Sequence, residues 1–275
     1  MSGSAGLPQQ LLLDLPLDPV FTLANLVVGQ ANRLAVEAVR HFGEAGGISH
    51  VPPFAGLTLC GEAGTGKTHL LQATVRHLRS QYGPQAALYL DLASLDHHLG
   101  MGRDSRPVAD PGDGLLGGQG AGGVGEAILT EFLSRFDGCR LVAVDTLDQL
   151  VSSPLLQEAV LYLYNGMKAA GVRLLFAGQE QPGNLTTLRD DLRTRLLWGP
   201  VISLQPPDAE DLAAILVKMA HDRQVRIGPE LIKFLVNRLP RRVPDYVQAF
   251  GILDRAALQQ RRPLTIPLAK EILGL

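Results

Sequence analysis

Residues 61–68 have the composition and spacing of a phosphate-binding loop. They read GEAGTGKT and match the pattern G-x-x-x-x-G-K-[ST] at every fixed position. Lys67 is predicted to reach the β- and γ-phosphates of a nucleotide, and Thr68 to place its hydroxyl on Mg²⁺. Glycine lets backbone N–H groups close around phosphate oxygens at a helix N-terminus, so the other predicted phosphate contacts are Gly61, Gly64, Thr65 and Gly66. The chain is therefore expected to bind ADP or ATP with Mg²⁺.

A second acid-bearing segment follows about 80 residues later. Four apolar residues at 141–144 end in Asp145, which is the Walker B pattern. Alone this pattern is weak, but a strand and a helix separate it from a complete phosphate-binding loop. Asp145 is therefore predicted to help hold Mg²⁺ together with Thr68.

The elements that must position these residues alternate between strand and helix. Apolar strands are predicted at 57–60, 86–90, 141–145, 172–177 and 201–204. Helices are predicted at 25–42, 66–80, 124–136, 154–170 and 185–196. This alternation predicts an α/β fold, a parallel sheet with helices on both faces.

The pattern changes at about Pro206. Helices are predicted at 208–224, 229–239, 244–260 and 264–275, and acids stand in the first turn of the first of them. The expected organisation has three parts: a flexible tail at 1–19, a nucleotide-binding α/β domain at 20–206, and a small all-helical domain at 207–275. Within the second part, the glycine-rich stretch 100–125 is interpreted as a mobile insertion, with a functional loop that touches DNA or a partner as the alternative.

Composition narrows the class of protein. A net charge of −2 and a pI near 6.4 argue against a dedicated nucleic-acid surface. Two cysteines without CxxC spacing suggest a reducing compartment, and the seven histidines show no metal-ligand pattern. No segment approaches the roughly 18 continuous apolar residues of a membrane span, and no basic leader is visible. A cytoplasmic protein without a membrane partner is the simplest expectation.

The N-terminal tail carries an apolar patch, QLLLDLPL, at residues 10–17. Prolines at 8, 16 and 19 oppose a helix there. Leucines in a flexible tail are unfavourable in water unless they are buried against another surface. They either dock into the apolar groove of a partner or pack back on the parent domain, and the chemistry alone does not choose between the two.

Taken together, the two nucleotide motifs, a late arginine pair before a short strand and a helical C-terminal part resemble the AAA+ class. Residues 20–29 with 32–35 look like the start of the AAA+ module of the bacterial replication initiator DnaA, and residues 192–199, LRTRLLWG, are similar to its arginine-finger segment. The ending at 264–273 resembles the Hda branch of the same family, which inactivates the initiator. The chain is expected to stop before the DNA-binding domain of DnaA, which favours the Hda branch.

The resemblance implies roles for particular residues. Arg195 becomes the candidate finger that acts in trans on ATP bound by DnaA. The N-terminal patch becomes a peptide for the β sliding clamp of DNA polymerase III, so that DNA is contacted through the clamp. The candidate clamp-binding residues are Gln10, Leu13, Leu15, Pro16 and Leu17. Gln10 lies two residues upstream of the expected glutamine position, which leaves open which residue fills the glutamine pocket of the clamp.

Three departures from the AAA+ pattern bear on hydrolysis. Thr146 stands where an active ATPase usually carries a second acid, and Thr cannot act as that base. Gln179 stands at the sensor 1 position, where it is expected to hydrogen-bond a phosphate or water. Pro244 stands where the sensor 2 arginine falls, with Arg241 and Arg242 nearby. A bound nucleotide with poor self-hydrolysis is therefore expected.

The resulting hypothesis is an Hda-like negative regulator of replication initiation that stimulates hydrolysis of DnaA-bound ATP. An ATPase that loads a helicase is one alternative, and turnover by the protein alone would support it. A DnaA-like DNA-binding protein is a second, and a degenerate AAA+ adaptor that only binds partners is a third. Whether ADP or ATP is the working ligand, and whether the protein forms homo-oligomers, stays open.

Overall fold

The computed structural model describes residues 17–44, 54–101 and 138–275. In these ranges, five strands form one sheet, β1 (Gly56–Cys60), β2 (Ala87–Asp91), β3 (Leu141–Asp145), β4 (Arg173–Gly178) and β5 (Val201–Ser203). All pairs are parallel and the order is β2-β3-β4-β1-β5. The predicted parallel sheet is confirmed.

Helices cover both faces of the sheet. In chain order they are α1 (Arg33–Glu44), α2 (Lys67–Tyr82), α3 (Leu92–Met101), α4 (Pro154–Ala169) and α5 (Asp190–Leu196), with short 3₁₀ turns at Leu147–Val151 and Pro182–Asn184. One apolar cluster joins α1 and α2 to the sheet, and a second joins α4 and α5 to its other face. Because both faces are buried, β1 and β3 consist of buried residues throughout.

Four helices follow the sheet and pack around a core of their own. They are α6 (Ala209–Asp222), α7 (Pro229–Arg238), α8 (Val243–Gln260) and α9 (Ile266–Leu273). Asp208 begins this lid with a capping box, because its carboxylate accepts from the N–H groups of Glu210 and Asp211 and its own N–H donates to Asp211. The lid core is centred on Tyr246, Phe250 and the leucines around them.

Two predicted helices are wrong at their N-terminal ends. The helix predicted over 25–42 begins only at Arg33, because Asn25 and Asn32 turn back to accept from or donate to backbone groups within five residues. The helix predicted over 185–196 begins only at Asp190, because the carbonyls before it are taken by the Arg193 side chain.

The predicted helix at 124–136 and nearly all of the glycine-rich stretch lie outside the described residues. Of that stretch, residues 100 and 101 complete α3. Of the predicted clamp-binding residues, the structure describes Leu17. Gln10, Leu13, Leu15 and Pro16 lie outside the described ranges.

Candidate nucleotide site and arginine-bearing edge

The phosphate-binding loop joins the end of β1 to the start of α2, as predicted. Gly61, Gly64 and Gly66 adopt positive φ angles of 148°, 84° and 97°, which side chains rarely tolerate. Gly66 is also the N-cap of α2, so the first N–H groups of the helix emerge from the loop without a side-chain cap. Free N–H groups at the positive end of a helix form a site for an anion.

Lys67 lies folded into the mouth of this loop with only 8% of its surface exposed. Its Nζ donates to the carbonyl oxygens of Gly61 at 2.6 Å and Glu62 at 2.8 Å. Burial lowers the pKa of Lys67, and the nearby carboxylates of Asp145 and Asp148 oppose that shift. The ammonium is therefore held at the loop by backbone carbonyls, with two acids at the same end of the sheet.

The side chain of Asp145, at the end of β3, is in contact with that of Thr68, in the first turn of α2. The Asp145 side chain is only 3% exposed, and burial raises its pKa. Three donors oppose that shift: the Thr68 hydroxyl, the Thr146 N–H at 2.8 Å and the Tyr89 hydroxyl at 2.9 Å. A hydroxyl and a carboxylate in contact supply the hard oxygen ligands that Mg²⁺ prefers, so the donor set fits that ion.

Thr146, at the position of the expected second acid, has a left-handed backbone with φ 58° and ψ 45°. This conformation is unfavourable for a β-branched residue, so its neighbours must hold it in place. The Thr146 Oγ1 lies 2.5 Å from Asp91 Oδ1 and 2.7 Å from the Asp145 carbonyl oxygen, and accepts from the Ala93 N–H. The hydroxyl is therefore fully engaged within the protein.

Asp91 and Asp148 are two acids that the sequence reasoning missed. Asp91 ends β2 in register with Asp145, so the rule that found Asp145, an apolar strand ending in an acid, identifies it too. Its carboxylate accepts from the hydroxyl and N–H of Ser94 at the start of α3. No comparable sequence signal marked Asp148.

Asp148 connects the end of β4 to the phosphate-binding loop through hydrogen bonds. Its carboxylate oxygens accept from the Gln179 N–H at 2.8 and 3.0 Å, and one accepts from the Glu180 N–H at 3.4 Å. The carbonyl of Gln179 accepts from the Gly61 N–H at 3.0 Å. The Gln179 side chain itself is exposed, so the described contacts of this residue are made by its backbone.

The lid reaches the phosphate-binding loop at the start of α8. A Cβ placed on Gly64 would lie 3.0 Å from Pro244 Cδ and 3.4 Å from Arg242 Cβ. A second lid contact is made by Gly29, where an added Cβ would lie 1.5 Å from Asp211 Oδ1. Arg242 is therefore the residue of the pair 241–242 whose Cβ lies against the loop.

The three arginines at the α5 end of the sheet make different contacts. Arg193 is mostly buried and supports the preceding turn, donating to the carbonyls of Leu185, Thr186 and Leu188 at 2.8–3.1 Å and pairing with Asp190. Arg189 pairs with Asp191.

Arg195, the predicted finger, is half-buried at the surface. Its Nε donates to Asn165 Oδ1 on α4 at 3.0 Å, and its Nη1 donates to the Asp191 carbonyl at 2.8 Å. The amide and the carbonyl orient the guanidinium, and the Asp191 carboxylate lies close enough to interact with it electrostatically.

The N-terminal segment Leu17–Thr22 lies along the outer side of α2. Arg76 donates to the carbonyls of Leu17 and Asp18, and Gln72 Oε1 accepts from the Asp18 N–H at 2.8 Å. His69 lies within 2.9 Å of the Thr22 carbonyl oxygen and stacks on Phe21. Leu17 itself packs against the core cluster that contains α2.

Metal-ligand clusters and membrane-spanning helices are absent from the described ranges. Residues 17–44, 54–101 and 138–275 contain no group of three or more His, Cys, Asp or Glu side chains able to hold a metal ion. In the same ranges no helix is long and apolar enough to cross a membrane.

Comparisons with known proteins agree with this geometry. Residues 17–98 match the family model of the bacterial DnaA ATPase domain, and residues 208–273 match that of the lid domain of Hda. DnaA of Cutibacterium acnes is 26% identical over 257 residues, covering 94% of this chain and 46% of the relative. DnaA of Symbiobacterium thermophilum is 24% identical, covering 94% and 51%. The chain spans about half the length of the curated relatives it matches.

Solved structures share the fold. Domain III of DnaA from Thermotoga maritima superposes with a TM-score of 0.77 at 21% identity, covering 94% of this chain and 98% of that one. AMPPCP-bound DnaA from Aquifex aeolicus superposes with a TM-score of 0.67 at 19% identity, covering 90% and 71%.

The phosphate-binding loop, the sheet order and the helical lid define the AAA+ class. Within that class, residues 17–98 are similar to the ATPase domain of bacterial DnaA, and residues 208–273 are similar to the lid domain of Hda.

Proposed function

We propose that this protein binds ADP or ATP at the phosphate-binding loop and uses it mainly as a structural cofactor. The observation that carries the proposal is the loop itself, with its glycines at positive φ and Lys67 held at its mouth. The AMPPCP ligand of a structural relative supports the same type of ligand. Because Gly64 lies against Arg242 and Pro244, a nucleotide bound there would link the sheet domain to the lid.

Thr68 and Asp145 are the residues that would hold Mg²⁺. The ion would supply positive charge beside the β- and γ-phosphates. Tyr89 and the Thr146 N–H orient the Asp145 carboxylate for that role. In this arrangement the carboxylate stays a ligand and does not move a proton.

Poor self-hydrolysis follows from the position after Asp145. A general base must reach the attacking water with a free acceptor. The Thr146 hydroxyl has no useful basicity and is already engaged by Asp91 and backbone groups. Asp148 accepts from the backbone N–H groups of Gln179 and Glu180. We assign Gln179 a weak contact to phosphate or water through its exposed amide, and we assign Arg242, whose Cβ lies against Gly64, a contact to the phosphates from the lid.

We therefore propose that ATP is hydrolysed in the nucleotide site of a partner protein. Arg195 is half-buried at the surface, and its guanidinium is oriented by Asn165 and the Asp191 carbonyl. An arginine finger supplied in trans stabilises negative charge in the transition state of phosphoryl transfer. With a lid of the Hda type, the partner is DnaA carrying ATP, and the outcome is negative regulation of replication initiation.

The N-terminal patch completes the proposal as a peptide for the DNA-loaded β sliding clamp. Leu17, its last residue, packs on the body, and Arg76 fixes the backbone at Leu17 and Asp18. The end of the patch, at Leu17, is therefore held in place beside α2. The predicted clamp contacts are Gln10, Leu13, Leu15, Pro16 and, in part, Leu17.

Hydrolysis of DnaA-bound ATP in the presence of clamp loaded on DNA tests this function. The protein is expected to accelerate that hydrolysis with the loaded clamp and to show little turnover alone. Turnover by the protein alone that is independent of DnaA would favour the helicase-loader alternative. Clamp or DnaA binding without any acceleration would favour the adaptor alternative.

A further inference from the structure

Two pairs of side chains bridge α4 and the end of α5. Asn165 and Lys168 are three residues apart on α4, whereas Arg195 lies in α5 and Trp198 lies three residues later, in the turn that follows α5. Arg195 Nε donates to Asn165 Oδ1 at 3.0 Å, and Lys168 Nζ lies 4.2 Å from the centre of the Trp198 ring. The same helix therefore positions both the proposed finger and the tryptophan.

Trp198 is conspicuous on this edge because it is 63% exposed. It is the only tryptophan in the sequence. It lines a shallow groove with Phe54, Ala55, Tyr164 and Lys168, and its neighbour Leu197 is also exposed. We call these residues the Trp198 surface. A large apolar ring left in water is unfavourable, and exposed apolar groups that cluster mark sites of association.

We propose that the Trp198 surface is the docking surface for an ATP-loaded AAA+ subunit, in which Trp198 supplies affinity and Arg195 supplies rate. The inference rests on the proposed function of Arg195. The Trp198 N–H donates to the Arg195 carbonyl oxygen at 3.2 Å, so the two residues lie next to each other at the turn that ends α5. A partner that brings a phosphate oxygen within hydrogen-bond distance of Arg195 therefore has to cover Trp198 as well.

The positive charges on this edge are complementary to a partner that carries the negative charge of a bound nucleotide. Arg195 and Lys168 present two cations beside the ring. The nearest acids on α5 are paired within the chain, Asp190 with Arg193 and Asp191 with Arg189. The edge thus presents positive charge next to an apolar groove, complementary to the anionic mouth of a nucleotide site. Tryptophan is also enriched among the residues that dominate binding energy at interfaces.

The proposed roles of Trp198 in affinity and of Arg195 in rate can be measured separately. The rate of hydrolysis of DnaA-bound ATP is followed, with DNA-loaded clamp present, as the concentration of this protein is raised. Trp198→Ala is expected to raise the concentration that gives half-maximal hydrolysis at least tenfold, with the maximal rate within about twofold of wild type. Arg195→Ala is expected to lower the maximal rate with little change in half-saturation. Leu258→Ala, at an 81% exposed apolar position on the lid, is the matched control and should change neither.

A second readout does not depend on hydrolysis. Protein labelled with 5-fluorotryptophan carries one ¹⁹F resonance, because the chain has one tryptophan. ATP-loaded DnaA is expected to shift or broaden that resonance in both the wild type and the Arg195→Ala form. Lys168→Ala should weaken the effect, and Lys168→Arg should preserve it, because arginine also stacks on an aromatic face.

The outcomes distinguish the surface from the function. The role of the Trp198 surface in docking is overturned if hydrolysis is accelerated while the ¹⁹F resonance does not move. It is also overturned if Trp198→Ala has the half-saturation of wild type. In both cases the proposed function is unaffected. A shifted resonance without acceleration supports the surface and overturns the role of Arg195. A resonance that moves when this protein alone is concentrated would place a second copy on the groove and overturn the assignment to DnaA. An unmoved resonance without acceleration overturns both.

Discussion

Tyr89 on β2 donates its hydroxyl to the Asp145 carboxylate on β3 across 2.9 Å. Both side chains are buried, and burial raises the pKa of each, so the pair lies where charge is costly. Because Tyr89 stays protonated at neutral pH, it acts there as a donor that holds the carboxylate in place. The neighbouring strand therefore contributes to the Mg²⁺ ligand that β3 presents.

Tyr89→Phe should destabilise the protein and weaken Mg²⁺-dependent nucleotide binding. A buried carboxylate that loses a donor costs about 1–3 kcal/mol of unfolding free energy. Urea denaturation without nucleotide measures that cost. Tyr82→Phe, at a half-exposed tyrosine that stacks with Arg140, is the control and should change stability much less. Equal stability of the two variants would show that the Tyr89 bond contributes nothing.

The fold and the phosphate-binding loop were predictable because local patterns encode them. Asp145 follows four apolar residues and Lys67 follows a glycine pattern, so each carries its own signal. The partners of these residues carry weaker signals. Tyr89 reads as one more residue of a buried strand, and only the β2-β3 register brings it to Asp145.

The helix starts that were predicted wrongly also depend on contacts that local patterns do not encode. Arg193 supports the turn before α5 through contacts with three carbonyls, which a helical periodicity cannot reveal. The contact of Arg242 with Gly64 joins residues far apart in the chain, so spacing alone could not rank Arg242 above Arg241. Long-range contacts of this kind need the packed structure.

Lys67→Met should weaken nucleotide binding by roughly 10- to 100-fold, because a hydrogen bond to a charged group contributes about 1.5–3 kcal/mol. Titration with a fluorescent ADP analogue measures the loss. Lys218→Met removes a lid lysine that pairs with Asp222 and serves as the control. Unchanged affinity in Lys67→Met would contradict the assignment of the loop.

Arg193→Ala and Arg195→Ala should differ in stability. Arg193 is mostly buried and its loss leaves three carbonyl contacts unmade, so the free energy of unfolding should fall by about 2–4 kcal/mol. Arg195 makes two contacts at the surface, and its loss should cost less than about 1 kcal/mol. Thermal denaturation of both variants measures the two losses of stability. A larger loss of stability for Arg195→Ala than for Arg193→Ala would show that Arg195 has a structural role.

Acidification should weaken the attachment of the N-terminal segment through His69. Burial lowers the pKa of His69 below its ordinary value of about 6.5. The unfolded chain therefore takes up its proton first as the pH falls, and the stability that the neutral ring contributes is lost below about pH 6.5. His69→Gln does not titrate, so its free energy of unfolding should fall less than that of the wild type between pH 7.5 and 5.5. Parallel losses would contradict this role.

Leu13→Ala with Leu15→Ala should lower affinity for the sliding clamp at least tenfold without changing the melting temperature. These two leucines belong to the proposed peptide, whereas Leu17 also packs on the core, so Leu17→Ala should cost some stability. Surface plasmon resonance on immobilised clamp measures the affinity. Gln10→Ala then tests whether Gln10 fills the glutamine pocket, and clamp binding that survives the double substitution would rule out the peptide.

The central claim is that Arg195 acts on ATP held by another subunit. The most direct measurement is single-turnover hydrolysis of radiolabelled ATP preloaded on DnaA, with clamp loaded on DNA and each variant at saturating concentration. Wild type and Leu258→Ala, a change at an exposed lid position, should accelerate hydrolysis equally, and Arg195→Ala should return the rate to that of DnaA with loaded clamp alone, a loss of up to about 10³-fold. Full acceleration by Arg195→Ala would contradict the claim.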